Sequence, residues 1–379
     1  MRLNWGRTMD FNYTEVQTML RDTLSRYLAD TYNFDTRQKA VATGKGWNPA
    51  VWQAFAEELG ILGAPFSEDH GGLGGGAVEN MIVMEEMGRA IVLEPYLSTV
   101  VIGGGALKAV GGAVADAHIP GIIAGTTRIA LAAYEPQSRW ALHDLTTTLK
   151  GGVLNGQKAV VEGAAHATHL LVTARSSGGQ RDAGGVTLLL IPADLPGITR
   201  RDYLTVHGSS ASEVYFENVA IGADHVLGAA DAGLAIVDQV VDEATAAACA
   251  EACGVLRVMH ATTLDYAKQR KQFGKAIGDF QVIQHRLVDM FMEVEQSVSI
   301  TLMATLKLDT AERAAAVSMA KAKVSKGARF VGQNAVQIHG GIGITQELAV
   351  GHFFKRATLL ENQFGSADHH LARYEALTM

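Results

Sequence analysis

The sequence predicts a mainly α protein with a central β domain, and three stretches of different texture carry that prediction. Apolar residues recur at helical spacing from Tyr13 to about Ala124, short β-rich runs replace them from about Thr127 to Gly228, and the helical period returns from Ala232 onward. Three domains are expected at 10–125, 126–230 and 231–379.

In the first segment Val16, Met19, Leu20, Leu24, Tyr27 and Leu28 make one apolar helical face, and Gly71 to Gly76 and Pro95 break the run. In the second, Ile129-Ala130-Leu131, Leu170-Leu171-Val172, Val186 to Ile191 and Val214-Tyr215-Phe216 are short strands separated by Gly, Asn, Asp and Pro. In the third, Val255 to Gln269, Gln281 to Lys307 and Ala311 to Gln333 predict long helices with no strand signal, packed as an antiparallel four-helix bundle. Met290, Met292 and Met303 read as its core.

A chain of 379 residues that is 48% hydrophobic can bury a large core. Its net charge of −7 argues against nucleic acid as the main partner, because phosphate binding needs concentrated positive charge. Cys249 and Cys253, spaced i, i+4, are expected as small apolar core residues. The segment Met1 to Thr8 lacks the apolar core of a signal peptide, and no run of about 18 apolar residues occurs, so a cytoplasmic protein without membrane insertion is expected. Structure is expected to begin at Met9-Asp10-Phe11.

The most informative residues are Tyr266-Ala267-Lys268-Gln269-Arg270-Lys271-Gln272-Phe273-Gly274, then Gln281, then Gln337-Ile338-His339-Gly340-Gly341. They form two stations of cationic, amide and glycine groups on long helices, suited to gripping a dinucleotide pyrophosphate and adenine. A planar guanidinium binds phosphate in bidentate fashion, and glycine lets backbone amides approach it.

This pattern resembles the acyl-CoA dehydrogenase flavoproteins, and the resemblance runs over essentially the whole chain from Met9. It implies an N-terminal helical domain, a middle β-barrel or sandwich and a C-terminal four-helix bundle. It further implies FAD as cofactor and α,β-dehydrogenation of an acyl-CoA thioester, as in β-oxidation. By the same resemblance Arg270 meets the pyrophosphate, Phe273 packs near the adenosine, and Gln281, Gln337, Gly340 and Gly341 complete the dinucleotide contacts, offered across a subunit interface to a neighbour's flavin. His339 reads as a packing or flavin-edge residue.

Elsewhere the family pattern is broken. The T-E-P-x-x-G-S-D loop appears as Tyr134-Glu135-Pro136-Gln137-Ser138-Arg139-Trp140, although Leu154-Asn155-Gly156-Gln157-Lys158 matches well. The W-I-T that covers one flavin face is Val160-Val161-Glu162, where a carboxylate would repel an anionic reduced flavin unless Glu162 points to solvent. The usual catalytic base position is Phe364, and the alternative family position is Ala244. Phenylalanine takes no proton, so Glu243, one residue off and ~100° around the helix, and Glu251, two turns along the same face, are the remaining catalytic candidates. His369-His370 has no third ligand at suitable spacing, so no metal is expected.

The split between retained and lost motifs resembles the small subunit of heteromeric acyl-CoA dehydrogenases. Phe364 to Arg373 and Lys275 to Gln281 are similar to the small subunits of pimeloyl-CoA dehydrogenase and its relatives. The implied partners are an acyl-CoA substrate, a paralogous large subunit supplying the flavin-ring loop and the carboxylate, and an electron-transfer flavoprotein as acceptor. A self-sufficient homotetramer with a displaced base and a catalytically silent acyl-CoA-binding or scaffold protein are the competing expectations. For a distal carboxylate on the acyl chain, Arg89, Arg139 and Arg356 are available cations.

Overall fold

The structure, a computed structural model, describes residues 12–379; the expected beginning at Met9-Asp10-Phe11 and the segment Met1 to Thr8 lie outside the described residues. Helices α1 (Glu15–Thr31), α2 (Phe34–Ala42), α3 (Pro49–Glu57), α4 (Ala77–Ala90), α5 (Gly104–Val110) and α6 (Gly112–Ile123) form the first layer, with a π-helical turn at Leu97–Gly103. Local chemistry starts them. The Thr14 hydroxyl accepts from Gln17 N while Gln17 Oε1 accepts from Thr14 N, a reciprocal cap on α1, and Asn48 caps α3 ahead of Pro49. Of the apolar face read on α1, Leu24 and Leu28 are buried, and Leu24 packs in one core with Phe55, Phe66 and Tyr96.

The middle layer holds β1 (Ile129–Ala132), β2 (Thr148–Lys150), β3 (Val153–Glu162), β4 (His169–Arg175), β5 (Val186–Pro192), β6 (Ile198–Leu204) and β7 (Ser210–Ala220). They join in the order β1-β4-β2-β3-β7-β6, with β5 paired to β4. Antiparallel β3 and β7 pair Lys158 with Val214 and Glu162 with Ala211, and the register shifts between Lys158 and Val161. That bulge leaves Val160 at φ 52°, an uncommon conformation for a β-branched residue.

The third layer is built on α7 (Gly233–Gln269), α8 (Gln281–Leu306), α9 (Arg313–His339) and α10 (Ala349–Asn362), with α11 (Ala367–Thr378) against α9. The mainly α architecture with a central sheet agrees with the expected fold class. Two expectations fail. A two-residue hairpin, β8 (Lys271–Gln272) with β9 (Lys275–Ala276), interrupts the helices where no strand was expected. Met290 is fully buried but Met292 is 49% exposed, because two residues along a helix turn it ~200° away from the core face. Cys249 and Cys253 are buried and unpaired, as expected.

Glycines set the closest approach between layers. A Cβ at Gly88 would lie 2.0 Å from the Glu251 carbonyl oxygen, and one at Gly254 would lie 2.0 Å from that of Glu85. Helices α4 and α7 therefore touch backbone to backbone beside Glu251. Among the described residues no helix is long and apolar enough to cross a membrane.

Candidate functional site

The last turn of α7 ends at Arg270, whose amide donates to Tyr266 O at 2.8 Å, and the chain then turns through Phe273 (φ 55°) and Gly274 (φ 85°). This turn holds Phe273 92% exposed, and Ile277 N donates back to Arg270 O at 2.8 Å before α8 begins at Gln281. The side chain of Arg270 makes no hydrogen bond or ion pair with any described residue; it and Gln281 are exposed.

Helix α9 ends beside this turn. The Tyr266 ring stacks on His339 with centroids 4.3 Å apart, and the Tyr266 hydroxyl lies 3.4 Å from His339 O. His339 is thus a packing residue that fixes one helix end to the other. Gln337 is exposed in the last turn of α9, Gly340 has φ 67°, and no heavy atom lies within 4 Å of a Cβ built on Gly340 or Gly341. The six residues predicted to contact a dinucleotide therefore share one exposed end of the bundle. An unpaired guanidinium beside uncovered glycine backbone fits the phosphate and adenine portion of FAD.

A second region lies where the β domain meets the α10–α11 turn. A cavity of ≈ 340 Å³ is lined by Leu131, Tyr134 and Val160 from the β side, Ile102 from the first layer, and Gln363 and Phe364 from the third. Trp140 also lines it and donates from Nε1 to Asn362 O at 3.1 Å. Glu162 does not point to solvent. Its side chain is half-buried on the cavity wall and accepts from Gln363 Nε2 at 3.0 Å, because the bulge before Val161 turns the end of β3 inward. Burial raises the pKa of this carboxyl, the Arg356 guanidinium opposes that rise, and Glu251 adds to it. Tyr134 and Glu162 thus occupy the two positions where the family pattern has threonines. The flavin-ring half fits less well than the tail half.

The retained parts of these two motifs bind each other. Glu135 and Lys158 form a fully buried ion pair at 2.7 Å, and Glu135 also accepts from Thr146 N at 2.7 Å and Thr147 N at 3.1 Å. The match at Leu154 to Lys158 therefore marks a structural brace behind the loop.

The structure separates the catalytic candidates. Phe364, at φ 59°, packs among apolar residues. Glu243 accepts from Gln239 Nε2 at 3.1 Å and lines a different cavity, ≈ 470 Å³, with Lys108 and Asp309. Glu251 is buried and accepts from Arg356 Nε at 2.5 Å and Nη2 at 2.6 Å. Arg356 Nη1 lies 3.0 Å from His207 Nε2, and Arg37 Nη2 donates to His207 O at 2.5 Å. This chain of charges spans all three layers and borders an inner cavity of only ≈ 60 Å³ shared by Glu162 and Glu251. Arg356 and Arg89 are already paired, the latter with Glu85 and Glu86; Arg139 is exposed at the larger cavity. Residues 37, 207, 251 and 356 have no common local pattern, so no sequence signal announces their cluster. Among the described residues no three His, Cys, Asp or Glu side chains are grouped to hold a metal.

Comparison with known proteins gives three matches in domain order: the acyl-CoA dehydrogenase N-terminal domain over residues 14–125, the middle domain over 130–219 and the C-terminal domain over 231–374. A probable acyl-CoA dehydrogenase of Bacillus subtilis, YngJ, is 30% identical over 322 residues, covering 82% of this chain and 85% of the relative. Butyryl-CoA dehydrogenase from Megasphaera elsdenii has a similar structure, with a TM-score of 0.89 at 25% identity over 97% of this chain and 99% of that one. A variant of the Tcur3481-Tcur3483 steroid ACAD has a TM-score of 0.87 at 26% identity over 96% of this chain and 97% of that one. The chain belongs to the acyl-CoA dehydrogenase family of FAD-dependent oxidoreductases.

Proposed function

We propose that this chain is the small subunit of a heteromeric, FAD-dependent acyl-CoA dehydrogenase and contributes the cross-interface half of the flavin site. The observation that carries this reading is an asymmetry between two regions. The Arg270 side chain is exposed and makes no hydrogen bond or ion pair with any described residue, whereas the cavity that should receive the flavin ring has Phe364 at the base position and Glu162 on its wall. Arg270, Phe273, Gln281, Gln337, Gly340 and Gly341 would hold the phosphate and adenine tail, and FAD when bound supplies a hydride-accepting ring.

Exposed apolar side chains at this end, Phe273, Val282, Ile342 and Ile344, support a subunit interface there. Similarity to a steroid ACAD whose name joins two proteins supports a two-chain assembly. In this reading a paralogous large subunit supplies the ring pocket and the base, an acyl-CoA is the substrate, an electron-transfer flavoprotein accepts the electrons, and the complex works in the cytoplasm. The self-sufficient alternative needs Glu243 or Glu251 as base. The separate cavity of Glu243 and the bidentate pairing of Glu251 weigh against it.

The test is to express this chain alone and together with a candidate large-subunit paralogue from the same genome, then assay acyl-CoA-dependent dye reduction. Turnover only from the co-expressed pair is expected; turnover by the lone chain would refute the partner requirement.

A further inference from the structure

Glu243, which the sequence offers as a base, stands in a cavity of its own. This space of ≈ 470 Å³ lies between α4, α5, α7 and the end of α8, and it shares no lining residue with the hollow beside Phe364. Its floor is apolar, with Met81, Val101, Ala247 and Leu308, and its size falls in the range of small-molecule pockets, about 300–1,000 Å³.

Two polar groups in its wall are only half used. Asn80 is 9% exposed, and the buried Tyr96 hydroxyl donates to its Oδ1 at 2.9 Å. That phenol needs an acceptor, so the amide NH2 is what remains. Nδ2 makes no hydrogen bond with any described residue, yet it is not sealed off from solvent, and the cavity is the opening on which Asn80 lies. Glu243 is the second group. Gln239 Nε2 donates to its Oε1 at 3.1 Å, and Oε2 has no donor among the described residues. A Cβ at position 105 would lie 2.9 Å from this oxygen, so Gly105 provides the room in which the carboxylate stands.

Charge gives the site its sign. Glu68, Glu243 and Asp309 line the cavity without an ion-pair partner among the described residues, against a single cation, Lys108. Lys108 is exposed, and its Nζ lies 5.9 Å from the Phe66 ring centroid. Among the described residues no three His, Cys, Asp or Glu side chains are grouped to hold a metal, so these spread carboxylates suit an extended organic cation better than a compact ion. We propose that this cavity binds an organic ammonium that bears an oxygen acceptor on an apolar stem. The ammonium donates to Glu243 Oε2, the oxygen accepts from Asn80 Nδ2, and the stem covers Met81, Val101 and Leu308. The charge-assisted bond to Glu243 is the stronger of the two polar contacts. An anion of the same shape meets three carboxylates and is disfavoured. The site lies away from the flavin and goes beyond the subunit reading, on which it does not depend.

The test is calorimetric titration of the full chain with ε-aminocaproamide, with hexylamine, which lacks the oxygen, and with caproamide, which lacks the charge. The flexible stem of ε-aminocaproamide lets both of its ends reach their partners. It is expected to bind about 10-fold more tightly than caproamide and about 3-fold more tightly than hexylamine. Glu243→Gln removes the charge and keeps the shape, so it is expected to erase most of the preference over caproamide and to leave the preference over hexylamine. The Asn80 side-chain amide resonance should move further with ε-aminocaproamide than with hexylamine. An unchanged unfolding midpoint shows that the variant is folded, and the three-ligand series on the unsubstituted chain stands without it. No binding, equal affinity across the series, a preference untouched by Glu243→Gln, or an Asn80 signal that does not distinguish the two amines would overturn the proposal. Flavin content of the assembly is read separately, so failure here leaves the subunit reading standing.

Discussion

Arg356 grips the Glu251 carboxylate with two nitrogens, at 2.5 and 2.6 Å, and both side chains are buried. A carboxylate held this way is a structural anchor between α7 and α10. Removing one partner of a buried pair strands the other charge, at a cost of roughly 3–5 kcal/mol. Glu251→Ala should therefore destabilise the chain by about that much, whereas replacing Glu251 and Arg356 together with leucine and methionine should restore much of the loss. Urea unfolding of the two single variants and the double variant measures this. Equal, additive losses would show that the pair is not coupled.

Arg270 stands at the other extreme, exposed and without a side-chain partner among the described residues. Arg270→Ala should leave the unfolding free energy of the chain within about 0.5 kcal/mol. In the assembled complex the same change should weaken FAD binding by roughly 10- to 100-fold, the value of a charge-assisted contact. Equilibrium flavin titration of the apo complex, beside a denaturant melt of the lone chain, separates the two effects.

Lys158 is the brace of the degenerate loop. It pairs with Glu135 at 2.7 Å and also donates to Ala133 O at 3.2 Å and Thr173 Oγ1 at 3.1 Å. Burial works against the Glu135 carboxylate, but the charge and hydrogen bond of Lys158 outweigh it and hold its pKa at about 2. Lys158→Met should cost roughly 3–5 kcal/mol and expose the loop containing Trp140 to proteolysis. Limited proteolysis with mass mapping would detect the cut, and an uncut loop would contradict the brace.

These contrasts mark what the sequence could reveal. The helical period of Val16 to Leu28 and the β runs at 170–172 and 186–191 lie in the elements they predicted, although on α1 only Leu24 and Leu28 are buried while Val16 and Met19 are 64% and 63% exposed. The Arg270 and Gln337 strings stand out in the sequence because each is short and local, whereas their placement at one end of the bundle needed the structure. The Glu251–Arg356–His207–Arg37 chain was not, since its members come from four segments far apart in sequence. The β8–β9 hairpin was missed because Lys-Gln-Phe-Gly-Lys has no apolar alternation and depends on two left-handed residues at its turn. Glu135 and Lys158 were visible as motif residues, but only the structure reveals that they hold each other.

Acid should loosen this fold through its buried histidines. Burial pushes His166 down to about 4 and His370 to about 3, and burial with the Arg356 and Arg37 charges pushes His207 well down. In the unfolded chain each recovers its ordinary value of 6.5. The unfolded state therefore binds more protons below pH 6.5, and stability falls as pH drops from there, by up to about 1.4 kcal/mol per pH unit for each histidine. Urea midpoints measured between neutral and mildly acidic pH should decline, and His370→Gln should flatten the decline. A pH-independent midpoint would contradict the neutral burial of these rings.

The central claim is that this chain holds the tail of a flavin whose ring belongs to another subunit. The most direct measurement is flavin absorbance per polypeptide, with polypeptide stoichiometry from native mass spectrometry of the same sample. The expected result is a lone chain that loses its flavin on gel filtration and a mixed assembly that keeps one flavin for each pair of unlike chains. A colourfast homomer with one flavin in every copy of this chain would contradict it.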